Sequence, residues 1–146
     1  MRIIGFLVAL AGIIGGSYLG GFPVLRLIDI PSFVIIFVPI AGVGIAVAGL
    51  KDTFYVCYFV FFTEKVPPEK RKYFISLFYT LENVSLGAGI IGFLTGCMQV
   101  LPHLSSDPDA IGRGIMVSLI CPVYGLTIKY IFLLPARNRI QYLCES

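Results

Sequence analysis

The stretch Ser106–Pro135, SDPDAIGRGIMVSLICPVYGLTIKYIFLLP, decides the fold. It opens with helix-start signals in order. Asp107 is a good N-cap, Pro108 suits the first helical position because its missing N–H has no partner there, and Asp109 favours the positive end of the helix dipole. From about Ile111 to Pro135 the run is apolar and long enough to cross the ~30 Å hydrocarbon core of a bilayer. Arg137 and Arg139 end the span. Lys129 is the one strongly ionisable residue well inside it, where a charge costs at least ~2.5 kcal/mol unless it snorkels or pairs. Pro122 sits mid-span. It deprives the Ser118 carbonyl of its usual donor and predicts a kink, where a freed carbonyl can meet a polar side chain or water.

Outward from this stretch the composition stays membrane-like. Of 146 residues, 58% are hydrophobic and 13% charged, against roughly 25% charged in a soluble domain. The mean hydropathy is +0.93. The chain reads as an all-α membrane protein of one domain, residues 1–146, with four transmembrane helices over about 3–22, 31–50, 83–101 and 111–135. Arg2 and the apolar run after it imitate a signal peptide, but the run continues to about Phe22 and reads as an uncleaved first span. Span 2 begins around Pro31, reaches Leu50, meets Lys51 and Asp52, and resumes as FYVCYFVFF to Phe62. One straight helix from Pro31 to Thr63 would be about 50 Å long, so its end should protrude or lie in the interface. Pro67-Pro68 breaks it and a new helix leads into span 3. Helices 2 and 3 are thus expected to extend into a short cytoplasmic hairpin.

Basic residues set the orientation. Arg2, Lys51, Lys65, Lys70, Arg71, Lys72, Arg137 and Arg139 fall on one side, Arg26 and Arg113 on the other. The positive-inside rule places both termini and the span 2–3 connection in the cytoplasm. The clusters are short and separated by apolar runs, which is not a nucleic-acid footprint. Cys57, Cys97, Cys121 and Cys144 form no C-x-x-C pair and read as buried thiols. His103, Asp107 and Asp109 share a loop without a dense ligand set, so no metal is expected. The Asn83-Val84-Ser85 sequon falls where glycosylation does not reach. No nucleophile–base pair or phosphate loop is visible, so neither enzyme chemistry nor a cofactor is expected.

The polar side chains inside the spans carry the functional reading. On span 3, Ser85, Ala88, Gly92, Thr95 and Gln99 form one small-to-polar stripe at three- and four-residue steps; on span 4, Gly114, Ser118, Cys121, Gly125 and Lys129 do the same. Two such stripes on neighbouring helices are either helix–helix contact or a shared polar lining. Gly12, Gly16 and Gly20 predict a packing face on span 1, as Gly92, Gly96 and Gly125 do on spans 3 and 4. Glu82 and Lys129 lie at similar depths, so they are expected to approach each other, unless Lys129 snorkels to the cytoplasmic face.

Three segments resemble the MotA/TolQ/ExbB family, nearest its MotA branch: LIDIPSFVIIF at Leu27–Phe37, GIIGFLTG at Gly89–Gly96, and the Ser106–Pro135 stretch with its DP-x-AIG-x-GI start, YGL and late proline. The resemblance implies a pentameric ring in the bacterial inner membrane, whose third and fourth helices surround a central pair of helices from a single-span MotB/ExbD/TolR-like partner. That partner supplies the ion-carrying aspartate. The expected role is a subunit of an ion-driven motor or channel, a proton-driven stator. The chain departs from the family in three ways. The large cytoplasmic domain of MotA is reduced here to a helical hairpin. The proline before the third-helix glycines is Leu86. Family threonines are replaced by Phe93, Cys121 and Pro122. The candidates for the ion path are Phe93, as an apolar gate, with Thr95, Gln99, Ser118, Cys121 and Pro122. The alternative is a non-conducting scaffold ring with the same fold. A small four-helix exporter is a third class, which usually needs a buried carboxylate that span 1 lacks.

Overall fold

The computed structural model describes residues 2–21, 29–61, 68–103 and 108–145. Among these the chain is helical throughout, apart from short turns. Its elements are α1 (Arg2–Leu19), α2 (Ile30–Phe61), α3 (Arg71–Val100), α4 (Pro108–Thr127), a π-helical segment (Ile128–Leu133) and α5 (Leu134–Glu145). Short 3₁₀ turns cover Pro68–Lys70 and Leu101–His103. Three stretches are long and apolar enough to cross a bilayer: Ile30–Val56, Arg71–Val100 and Ile111–Tyr142. A shorter apolar helix runs over Gly5–Leu19. All of α1, at 18 residues, rises about 27 Å, close to the hydrocarbon thickness. The chain is a multi-pass membrane protein.

Asp29 starts α2. Its carboxylate accepts from the Ser32 N–H at 2.9 Å and the Ser32 hydroxyl at 2.6 Å, satisfying a donor that the first helical turn leaves open. Pro31 falls inside that turn, where it costs no hydrogen bond. The expected cap at Asp107 and the Pro67 turn lie outside the described residues.

α2 does not run straight. Gly49 adopts φ 77°, ψ 167°, a region open essentially to glycine alone. The bend brings Thr53 back against Gly44, although nine residues of straight helix would separate them by about 13.5 Å along the axis. The Thr53 hydroxyl donates to the Gly49 carbonyl at 2.8 Å. Beyond the bend, Val56 is buried beside Phe74, Leu77 and Phe78 of α3, Tyr55 lies 5.3 Å from the Phe74 ring, and Asp52 comes near Tyr73 of α3. This arm therefore packs on the first half of α3 instead of extending α2 in a straight line.

α3 is the central element. One face carries Phe74, Leu77, Phe78, Leu81, Glu82, Ser85, Ala88, Gly89, Gly92 and Gly96, all buried. Its first half packs on Leu133 of the π segment and on α5 through Ala136 and Ile140, and its second half packs on α4 and on Ile36 of α2. Helical structure continues past Arg137 and Arg139 to Glu145. α4 stays helical through Pro122, and a π segment follows it. α1 is peripheral and touches the rest through Phe6, stacked 5.4 Å from Phe132.

Candidate functional site at the α3–α4 seam

α3 and α4 run antiparallel, and their two small-residue stripes meet directly. A Cβ placed on Gly96 would stand 2.6–2.8 Å from the hydroxyl, N and Cα of Ser118. On Gly92 it would meet Cβ and Sγ of Cys121 at 2.5 and 2.6 Å, and on Gly125 the Ser85 carbonyl at 2.6 Å. Each glycine thus receives a group from the other helix that no larger residue would admit. Lipid tails are as apolar as the helix surfaces, so burial alone does not drive helices together in a bilayer; close van der Waals packing and interhelical hydrogen bonds do. The seam has both. The Ser85 hydroxyl donates to the Gly125 carbonyl at 2.8 Å in a fully buried position.

This geometry places much of the stripe in helix–helix contact. Ser118 is 3% exposed and Cys121 is 0% exposed. Ser118 donates to the Gly114 carbonyl of its own helix at 2.6 Å. Both were candidates for an ion path, and the structure places them between α3 and α4, where water could reach them only if the helices parted. The reason is the size of Gly96 and Gly92, which draw the two backbones together. Pro122 is half-buried, with its Cα against Gly89.

Three candidates remain on the outside of the pair. Gln99 is exposed near the end of α3 and Thr95 is half-exposed. Phe93 is 39% exposed. Phe93 and Thr95 are two residues apart, hence about 200° apart around the helix, and they emerge on opposite flanks of the seam. A single lumen can face only one of them. The Thr95 hydroxyl donates to the Ile91 carbonyl at 2.8 Å, so its oxygen retains lone pairs able to accept from water or solvate a cation.

Below the seam lies a buried ion pair. Glu82 is 2% exposed. Its Oε2 meets the Arg137 guanidinium at 2.9 Å, and its Oε1 is buried with no hydrogen-bond partner. The expected partner was Lys129, so the partner is corrected although the depth is right. Lys129 turns to Tyr130 instead, its Nζ 5.4 Å from the centre of that ring. The π segment explains the exchange. In an unbroken α-helix Arg137, nineteen residues after Ser118, would lie about 100° off the seam face. The extra residue held in a π turn takes back about one residue of rotation and returns Arg137 to that face. Its side chain then leans toward the helix N-terminus, and so toward Glu82. The guanidinium also covers the Tyr79 ring at 5.6 Å. Nothing in the sequence marks a π turn, so counting by α-helical steps misses Arg137.

The packing face expected at Gly12, Gly16 and Gly20 has no partner among the described residues. A Cβ on Gly12 or Gly16 would meet nothing within 4 Å, and one on Gly20 would meet only atoms of its own helix.

Two comparisons bear on these helices. The family described as the MotA/TolQ/ExbB proton channel family matches residues 65–146, which contain α3, α4, the π segment and α5. Motility protein A of Aquifex aeolicus (strain VF5) is 33% identical over 73 residues, covering 50% of this chain and 28% of that protein. The chain thus matches little more than a quarter of that relative's length.

Proposed function

Because the chain belongs to the MotA/TolQ/ExbB proton channel family, we propose that it is a non-enzymatic subunit of an ion-driven motor or channel complex in the bacterial inner membrane. Copies form a ring, with five subunits expected from the family, around the paired helices of a single-span MotB/ExbD/TolR-like partner. Both termini face the cytoplasm, and the ion is a proton. The observation that supports this reading best is the α3–α4 pair: the two helices meet in one close-packed unit and leave Thr95 and Gln99, or Phe93, on a flank that can face a central axis. Glu82, the buried acidic side chain of α3, is held by Arg137 below the seam. A carboxylate that carries the ion must then come from the partner.

A second reading, a non-conducting scaffold ring, draws on the same seam. Where the family has paired threonines, this chain has Cys121, which is fully buried, and Pro122, which has no side-chain donor. The test is ion flux in liposomes containing this chain and a single-span partner encoded beside it, with a protonophore control. Flux abolished by an Asp→Asn change in the partner's span supports the driven channel. Assembly without flux supports the scaffold.

A further inference from the structure

The bend at Gly49 creates a cavity of about 310 Å³, at the lower end of the ~300–1,000 Å³ of small-molecule sites. It lies between the two arms of α2, Leu81 of α3 and the π segment, with Phe37, Ile45, Thr53, Phe54 and Phe132 among its walls. Among the described lining residues Thr53 alone has a polar side chain, and its hydroxyl already donates to the Gly49 carbonyl at 2.8 Å. A buried water needs two to four polar partners, and these walls offer no such set. An unfilled void forfeits dispersion contacts along its whole lining. The occupant is therefore apolar.

The position of the mouth identifies the source. Phe54 is 70% exposed, and Phe37 and Ile45 are each 41% exposed. They belong to the Ile30–Val56 stretch, whose most apolar 18-residue window has a mean hydropathy of 2.6 and 11% of its residues buried in the subunit. Such a helix presents its outside to hydrocarbon. Lys51 is exposed and lies one helical turn before Phe54, on the same face. It supplies a positive charge for the phosphate of a headgroup whose tail enters the cavity. We infer that the elbow of α2 is a lipid site, occupied by one acyl chain of a membrane phospholipid. The site is separate from the α3–α4 seam and does not depend on whether the chain conducts ions.

The test uses the full chain in vesicles doped with a phospholipid whose acyl chain carries a photoactivatable diazirine. Cross-linked residues are mapped by mass spectrometry. Leu7 and Val8, 58% and 66% exposed on the peripheral α1, report ordinary contact with lipid. The expected result is labelling of Ile45 and Phe54 several-fold above Leu7 and Val8, with the excess removed by Ala41→Phe, which fills the cavity from its wall. If Ala41→Phe fails to fold, Ala41→Leu makes the same comparison. Labelling of Ile45 and Phe54 no higher than at Leu7 and Val8 overturns the site. So does an excess that survives filling, or cross-linking that shows a second copy of the chain covering the elbow.

Discussion

Replacing Gly96 with alanine tests whether the seam is as tight as its geometry requires. The added methyl would sit 2.6 Å from the Ser118 hydroxyl, 2.7 Å from its N and 2.8 Å from its Cα. Ordinary contact begins near 3.4 Å, so the helices must separate by more than half an ångström or α4 must distort. Overpacking of this kind costs about 1–3 kcal/mol, and backbone obstacles put Gly96→Ala at the upper end. Removing a helical glycine returns about 0.5–1 kcal/mol, leaving a net loss of about 2 kcal/mol. Gly87→Ala is the matched control on the same helix, since its Cβ would meet nothing within 4 Å, and it should stabilise by the propensity gain alone. The rescue pattern is the sharper readout. At Gly92 the α4 obstacles are Cβ and Sγ of Cys121, so Cys121→Gly should recover most of the interaction energy of Gly92→Ala in a double-mutant cycle. Ser118→Gly should recover little for Gly96→Ala, because the Ser118 backbone remains in place. Unfolding in mixed SDS–detergent micelles, followed by circular dichroism, gives these energies. Equal tolerance of Gly96→Ala and Gly87→Ala, or full rescue by Ser118→Gly, would refute the seam as described.

Glu82→Leu alone should destabilise the fold by about 3–5 kcal/mol by leaving Arg137 as an uncompensated charge, while Glu82→Leu with Arg137→Met should recover most of that loss in the same unfolding assay. Gly49→Ala should cost about 1–3 kcal/mol because the backbone there suits glycine alone, and limited proteolysis across residues 45–55 should change pattern. Ser85→Ala removes the interhelical hydrogen bond to Gly125 and should cost ~0.6–2 kcal/mol. In a background without native thiols, water-borne thiol reagents should label only one of Phe93→Cys and Thr95→Cys in the assembled complex, and equal labelling of both would rule out a single lumen against one flank of α3.

Much of this structure follows from steps of three and four residues. The stripe from Ser85 to Gly92 and the stripe from Gly114 to Gly125 lie on single helical faces, and those faces meet. What counting could not tell was which side of the contact each residue serves. Ser118 and Cys121 look identical on paper whether they line water or fill the notch of a glycine; only the backbone separation decides, and it depends on both helices at once. The bend at Gly49 is hidden for another reason. The chain has sixteen glycines, many of them in apolar runs, and a positive φ leaves no trace in composition. Arg137 was hidden by the π turn, which changes the angular step after Ile128 without any marker residue. The depth of Glu82 was legible because antiparallel helices joined by a short loop match levels by simple counting, and the angle of its partner was not.

The seam also has a mechanical meaning. Its notches alternate: α3 contributes the gap at Gly96 and Gly92, while α4 contributes it at Gly125, where the Ser85 backbone fills it. Sliding one helix past the other by a turn, about 5.4 Å, would drive filled positions into filled positions and strand the Ser85 hydroxyl. The two helices are keyed against shear, so the α3–α4 pair moves as a stiff block, and a change of shape is taken up away from this seam.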